Sequence, residues 1–491
     1  MTESQIPNSN SQPLIRTRFA PSPTGLLHVG GIRTALFAWL LARQANGQFV
    51  LRLEDTDQAR EVVGADKHIM ESLKALGLQY DEGPDNGGPY QPYRQSERLE
   101  SYRPWAQKLI DAGRAYADPY TPEEVEAFRQ EARDSKKPFL YRNHRPENPP
   151  AWDGTKPLRF KSEPKDYTWN DAVMGDMSAG AEAIDDFILV KSDGYPTYNF
   201  AHIIDDVEMH ISHVIRGQEF LASTPNYLNL YEALDIPKPV LATMPHILGP
   251  TGTKKLSKRD GAKDVLDYIR DGFLPEAMIN FIASLGWNDG TEQEIFNTDE
   301  LIAKFSLDSV QKSGARFDEQ RLLWINGSHI RGLQLDELYA KTQGYWPDSA
   351  LGYDDKYRKA VLQITQERLK VFNELPTLTE FFFSEPTDDA VRTLMDDQKN
   401  KQLRKLEPAQ KTELLSSVLA TLEQSDFSVA DLETKLNALL TTLDTKPGIL
   451  FSLVRIATTG APFSPALFDT LHVLGKEKAL SRIKKSLTIL G

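Results

Sequence analysis

Apolar positions fall into two regimes along this chain. Up to about residue 250, short β-compatible runs alternate with stretches of helical spacing; from about 265 onward, helical spacing dominates. Arg16-Thr17-Arg18-Phe19-Ala20 is a strand candidate, broken by Pro21-Ser22-Pro23-Thr24-Gly25. Ile32, Ala35, Leu36, Trp39 and Leu40 then recur at helical spacing. Gly47 is the expected close of that helix, and Phe49–Leu53 is apolar enough for a buried parallel strand. Helices are expected from Gly64 to Gly77, Ser96 to Gly113, Thr121 to Arg133 and Thr224 to Leu234, and another from near Pro196. Residues 114–185 change character, mixing a charged helix, a Pro-rich stretch (Arg145–Pro157) and strand-like pieces. That composition reads as an insertion between the halves of a nucleotide-binding fold. The βα pattern is expected to resume with Asp186–Val190 and continue through strands His213–Arg216 and Ala242–Leu248. Amphipathic helices are then expected at Asp354–Leu375, Pro408–Glu423, Ser428–Leu440 and Pro465–Leu474, the last with an apolar stripe of Leu467, Phe468, Leu471 and Leu474.

The pattern therefore predicts a multidomain α/β plus all-α protein, and 491 residues allow three or four domains. The absence of cysteine excludes disulfides, thiolate zinc sites and cysteine nucleophiles, and fits a cytoplasmic address. The first fourteen residues are polar, lack signal-peptide order and read as a disordered tail. No apolar run approaches the roughly 20 residues of a membrane span, so no membrane partner is expected. A net charge of −13 argues against indiscriminate nucleic-acid binding, but leaves room for a structured RNA held by local patches. The nine histidines show no metal-ligand spacing.

Two stretches carry chemistry. His28, Gly30 and Gly31 lie where the first helix begins, a place that offers free N–H groups and the positive dipole end to a phosphate. Arg18 and Glu54 lie near the carboxyl ends of two neighbouring strands, where ligands of open α/β sheets bind. The second stretch, GPTGTKKLSKRDGAK, follows the last strand with Lys254, Lys255, Lys258 and Arg259 crowded together. Such lysines suit charge developing on a leaving polyphosphate. The same charges could also form internal ion pairs or a solvated face.

Taken together these stretches resemble class I aminoacyl-tRNA synthetases, specifically the bacterial-type glutamyl branch. RFAPSPTGLLHVGGIRTA contains the first signature as His28-Val29-Gly30-Gly31, and Lys255-Leu256-Ser257-Lys258-Arg259 matches the second. LRLEDTD, YPTYNFAHIIDD and HVIRGQEFLASTP lie between them in the family's order, and GAPFSPALFDTLHVLGKEKALSRI resembles its C-terminus. The resemblance implies a Rossmann-like catalytic domain in two halves (15–105 and 186–253) around an inserted acceptor-end-binding domain (106–185). A loop and stem-contact region (254–335) and a helical anticodon-binding region (336–491) would follow the tail of residues 1–14.

By position it also implies that Arg18, Tyr198 and Arg216 hold the glutamate side-chain carboxylate, that Glu54 and Ser22 hold the α-ammonium, and that His202 lies near the α-carboxylate. His28, Gly30, Gly31, Glu219, Lys255 and Lys258 would handle ATP, with His28, Lys255 and Lys258 catalytic. Three departures stand out: Gly31 replaces the histidine of many class I enzymes, His202 stands where others carry asparagine or various residues, and the segment that carries zinc-binding cysteines in some members has none here. No zinc is expected. The implied activity is ATP- and Mg²⁺-dependent ligation of L-glutamate to the 3′ end of tRNA(Glu), through an adenylate and attack by the ribose 2′-hydroxyl. Charging of tRNA(Gln) as well is left open, and a monomer is expected. The alternatives are a glutaminyl-tRNA synthetase, a truncated paralogue acting on a tRNA base, and a catalytically inactive RNA-binding protein on the same fold.

Overall fold

The computed structural model describes residues 14–256 and 263–490. The chain divides into two units, one of residues up to Ile269 with Pro275–Leu322, the other of Arg270–Leu274 with Leu323 onward. Residues 1–13 of the expected tail and 257–262 of the second signature, Lys258 included, lie outside the described residues.

The first unit opens with β1 (Arg16–Phe19), α1 (Val29–Gln44), β2 (Gln48–Leu51), α2 (Ala65–Ala75) and α3 (Leu99–Asp111). It continues through β3 (Ala115–Ala117), α4 (Pro122–Asp134), β4 (Leu158–Phe160), β5 (Tyr167–Asp171), β6 (Gly175–Ala179) and β7 (Ile188–Val190). Next come α5 (Tyr198–Glu208), β8 (His213–Gly217), α6 (Thr224–Ala233), β9 (Val240–Met244) and β10 (Ile247–Leu248). Last are α7 (Val265–Arg270), α8 (Pro275–Ala283), α9 (Thr298–Lys304) and β11 (Ala315–Arg316). The central sheet is parallel, in the order β2-β1-β8-β9, with Arg16 opposite Gln48, Thr17 opposite His213 and Val214 opposite Leu241. The strand order runs outward in opposite directions from the β1–β8 pair. That pair is the switch point at which a crevice opens beyond the carboxyl ends of the strands.

Helix α1 packs on the sheet and against α8 and α9. It is buried nearly all round, which explains why its apolar positions exceed a single stripe. Its end differs from expectation. The left-handed residue is Asn46, and Gly47 is required because a β-carbon there would lie 2.1 Å from the Ile15 carbonyl oxygen. That carbonyl accepts from Gln48 N–H and begins the pairing of β1 with β2.

Two further expectations are corrected. The strand read at Asp186–Val190 does not rejoin the parallel sheet; β7 pairs antiparallel with β4 in a separate sheet β3-β4-β7. The stretch Ala242–Leu248 is two strands, because Pro245 interrupts it and β10 pairs with β11 instead. The antiparallel sheet is tied down by charge. Asp118 accepts from Arg159 at 2.7 Å and from the Tyr141 hydroxyl at 2.6 Å, while Asp186 accepts from Arg145 at 2.6 Å and Tyr116 at 2.9 Å.

The second unit is helical: α10 (Glu319–Gly332, its first turn in the other unit), α11 (Leu335–Lys341), α12 (Asp355–Thr365), α13 (Leu375–Phe383), α14 (Asp388–Met395), α15 (Pro408–Glu423), α16 (Val429–Thr442), α17 (Pro447–Thr459), α18 (Leu467–Leu474) and α19 (Lys476–Leu490). The single helix expected over Asp354–Leu375 is broken. Glu374 turns back to accept from the N–H groups of Lys370 and Val371, and Pro376 starts a new helix. Leu415, Val418, Leu436, Leu453, Leu471 and Ile483 form the core of α14–α19. Buried Arg482 crosses it, donating to the carbonyls of Phe381, Thr458 and Ser384.

Candidate active site

A cavity of about 520 Å³ opens beyond the carboxyl ends of the parallel strands. Its wall includes Arg18, Ser22, His28, Gly30, Gly31, Glu54, Tyr198, Arg216, Glu219 and Lys255. Residues nearly 240 positions apart in sequence thus meet around one space, because β1, β2 and β8 end side by side.

The anion-facing end is the start of α1. His28 is its N-cap, and its Nδ1 accepts from Gly30 N–H at 3.1 Å, leaving the imidazole exposed at the helix mouth. Gly31 is tight against its neighbours: a β-carbon there would lie 2.6 Å from Leu27 Cδ1. His68, on α2, buttresses the turn. Its Nδ1 accepts from Leu27 N–H at 3.3 Å, and its Nε2 donates to Asp264, which pairs through its backbone with His28. At the rim, the Glu219 carboxylate faces Lys255 at 3.6 Å and His246 at 3.9 Å.

The other end is a buried charge lattice that sequence reading missed. Asp206 Oδ1 accepts from Arg18 Nε at 3.1 Å and from Arg52 Nη1 at 2.8 Å. Arg52 also donates to Glu54 Oε1 at 2.9 Å. Asp205 collects Arg98 at 2.7 Å, Gln95 at 2.8 Å and the Tyr102 hydroxyl at 3.0 Å. Burial pushes the Asp206 carboxyl up, but Arg18 and Arg52 outweigh it and hold it down at about 2. For Glu54 burial wins over the pull of Arg52 and Arg18, and its carboxyl rises to about 7. The signal for this lattice was an arginine in the apolar run Phe49–Leu53 and adjacent aspartates on a helix otherwise apolar at that point.

Arg18 and Arg216 are both buried but differently served. Arg18 is neutralised by Asp206, and its Nη1 donates to the Ile215 carbonyl at 3.1 Å. Arg216 donates to Thr224 Oγ1 at 3.0 Å and lies over the rings of Tyr227 and Phe220, at 4.9 and 5.8 Å, with no carboxylate partner among the described residues. Its charge is therefore available to a ligand. Tyr198 lines the cavity close by, and burial raises its hydroxyl well above the usual range.

His202 does not line this cavity. It stacks behind Tyr198 at 4.7 Å, meets Tyr227 edge-on at 4.7 Å, and its Nδ1 donates to the Tyr198 carbonyl at 2.7 Å. With Asp206 and Arg216 it borders a small void of about 10 Å³ beneath the site, room for one water. Burial pushes its imidazole down to about 3, so it is neutral at physiological pH. No three His, Asp or Glu side chains cluster so as to hold a metal ion among the described residues.

Comparison with known proteins bears on this arrangement. Residues 14–324 match the family described as tRNA synthetases class I (E and Q), catalytic domain, and residues 337–487 match an anticodon binding domain. A glutamate–tRNA ligase of Dehalococcoides mccartyi is 40% identical, over 97% of this chain and 98% of its own. Glutamate–tRNA ligase 1 of Fervidobacterium nodosum is 38% identical, over 96% and 98%. The crystal structure of a glutamate tRNA ligase from Elizabethkingia meningosepticum, in complex with its amino acid, superposes with a TM-score of 0.85 at 32% identity, covering 98% of this chain and all of that one. With a parallel-sheet cavity lined by the first signature and by Lys255 of the second, and a helical C-terminal unit, the chain belongs to the class I tRNA synthetases, in their glutamyl branch.

Proposed function

We propose that this chain ligates L-glutamate to the 3′ end of tRNA(Glu) in two steps: attack of the α-carboxylate on the α-phosphate of ATP with loss of pyrophosphate, then transfer to the terminal ribose 2′-hydroxyl. The observation that carries the amino-acid choice is buried Arg216, which faces the cavity with no carboxylate partner among the described residues. A glutamate side chain supplies the missing anion. Glutamine has the same shape but leaves the guanidinium unpaired, so discrimination comes from the penalty on the wrong substrate as well as attraction to the right one.

In this reading Tyr198 and the free Nη2 of Arg18 assist Arg216 at the side-chain carboxylate, while Glu54 and Ser22 receive the α-ammonium. His28 and the α1 start take the ATP phosphates with Glu219 and Lys255 at the rim, and Lys258 acts on the same phosphates. ATP enters with Mg²⁺, which supplies neutralisation of the polyphosphate. The protein contributes positioning and fixed charge rather than a nucleophile. The match of residues 337–487 to an anticodon binding domain supports an RNA partner. Helices long and apolar enough to cross a membrane are absent among the described residues. The reading is tested by glutamate-dependent ATP–pyrophosphate exchange with tRNA present, and by charging each purified tRNA isoacceptor with labelled glutamate. Exchange without charging of tRNA(Glu), or no exchange, would overturn it. Charging of tRNA(Gln) would widen the substrate set.

A further inference from the structure

Besides Arg216, one more buried arginine lines the cavity without a carboxylate partner among the described residues. Arg33 lies one turn into α1 and is 4% exposed. Its Nη1 donates to the Leu285 carbonyl at 3.0 Å and its Nη2 to the Pro245 carbonyl, while its buried Nε has no hydrogen-bond partner. The buried arginines nearby are answered by carboxylates: Arg16 by Glu82, Arg18 and Arg52 by Asp206, Arg98 by Asp205. Arg33 is met by two neutral carbonyls. The nearest acidic influence is Glu219, which is half exposed and already faces Lys255 and His246.

A guanidinium taken out of water without a counter-anion is costly, and such a charge persists where a ligand completes it. The geometry points to Arg33 as the fixed counter-charge for the polyphosphate of ATP, a role distinct from that of the signature lysines. Three features converge on that assignment, which rests on the reading of ATP as substrate. The α1 N-terminus beside it presents the positive end of a sixteen-residue helix. The two carbonyls hold the guanidinium in place before any ligand arrives, so no reorganisation is needed when phosphate binds. Burial also lowers Arg33 to about 10, a destabilised cation that an incoming anion relieves. Arg216 and Arg33 thus divide the cavity between its two anionic substrates, one counter-charge each.

The test uses the full chain with Arg33→Met, an apolar side chain of similar length, and Arg33→Lys, which restores the charge. In glutamate-dependent ATP–pyrophosphate exchange with tRNA, Arg33→Met is expected to raise the KM for ATP about tenfold or more while the KM for glutamate stays within about twofold. Inorganic pyrophosphate should raise the melting temperature of the wild type and of Arg33→Lys, but not of Arg33→Met. An ATP KM for Arg33→Met equal to wild type overturns the inference. So do equal impairment of the Lys and Met variants and parallel rises in both KM values, which mark a structural clamp. Should Arg33→Met not fold, Arg33→Lys decides: an ATP KM within about fivefold of wild type supports the charge, and a larger rise overturns it. A wild type without glutamate-dependent exchange, in which pyrophosphate protection still depends on Arg33, would sink the proposed reaction and leave this assignment standing. Absence of pyrophosphate protection in the wild type would sink the assignment itself.

Discussion

Glu54 and Arg216 show how one residue's environment sets its chemistry. Glu54 titrates at about 7 in the folded protein against an ordinary value of 4.5. Its contribution to stability is therefore fully present below pH 4.5 and is lost as pH rises through 7. Glutamate binding runs the other way, because the α-ammonium needs the ionised carboxylate. Glutamate should bind tighter as pH rises to about 7 and level off above it, with a loss of roughly fivefold between pH 7 and 6. Calorimetric titration between pH 5.5 and 8 measures this, and Glu54→Gln should flatten the profile; a flat wild-type profile removes Glu54 from ammonium binding. For Arg216→Gln, kcat/KM for glutamate should fall by about 2–5 kcal/mol in activation free energy, the scale of breaking a buried charge pair. Glutamine should lose far less, so the preference narrows. Wild-type discrimination in that variant would hand the specificity to Arg18. Position in the motifs made these two residues legible in the sequence. Their partners were not: Arg52 and Thr224 lie two and eight residues away, yet only the fold turns them onto these side chains.

At the scale of elements, periodicity was read well, and the errors fell where a breaker or a strand's partner decided the outcome. The periodicity of α1 and the strands at Arg16–Phe19 and His213–Gly217 are local properties. Whether Ile188–Val190 joins the parallel sheet or the antiparallel one is decided by partners elsewhere in the chain, and its apolar composition suits both. Pro245 and the break before Pro376 are exceptions, legible interruptions inside runs that were read as continuous. Glycines make the same point. Gly47 looked like a helix terminator, yet its need is spatial. Gly47→Ala should cost roughly 2–4 kcal/mol, because the obstacle is the Ile15 backbone rather than a side chain that can move. Gly332→Ala, at the end of α10 with open space around it, should be neutral or stabilising by up to about 1 kcal/mol. Scanning calorimetry of both variants checks the pair, and similar shifts would refute the steric account.

For the molecule as a whole, the central sheet joins strands from both sides of a long excursion. β1 lies between β2, its near neighbour in sequence, and β8, with Arg16 and Ser212 hydrogen-bonded across 196 residues. Arg18 and Arg98 likewise find their carboxylates on α5, and Arg52 reaches Asp206 there as well as Glu54 close by in sequence. A fragment of residues 1–113 holds these guanidiniums without Asp205 or Asp206, and should show no cooperative melting on its own; a sharp transition would mean that the sheet does not need its second half. The order of synthesis on the ribosome gives this topology a temporal side. At about 5–20 residues per second, roughly 10–40 s separate the appearance of β1 from that of β8. Throughout that interval the nascent chain carries an unpaired β1 edge and cations awaiting burial, so the growing polypeptide is a natural client for chaperones. Synonymous codon changes that lengthen the wait should lower the yield of folded protein without altering a single residue of its site.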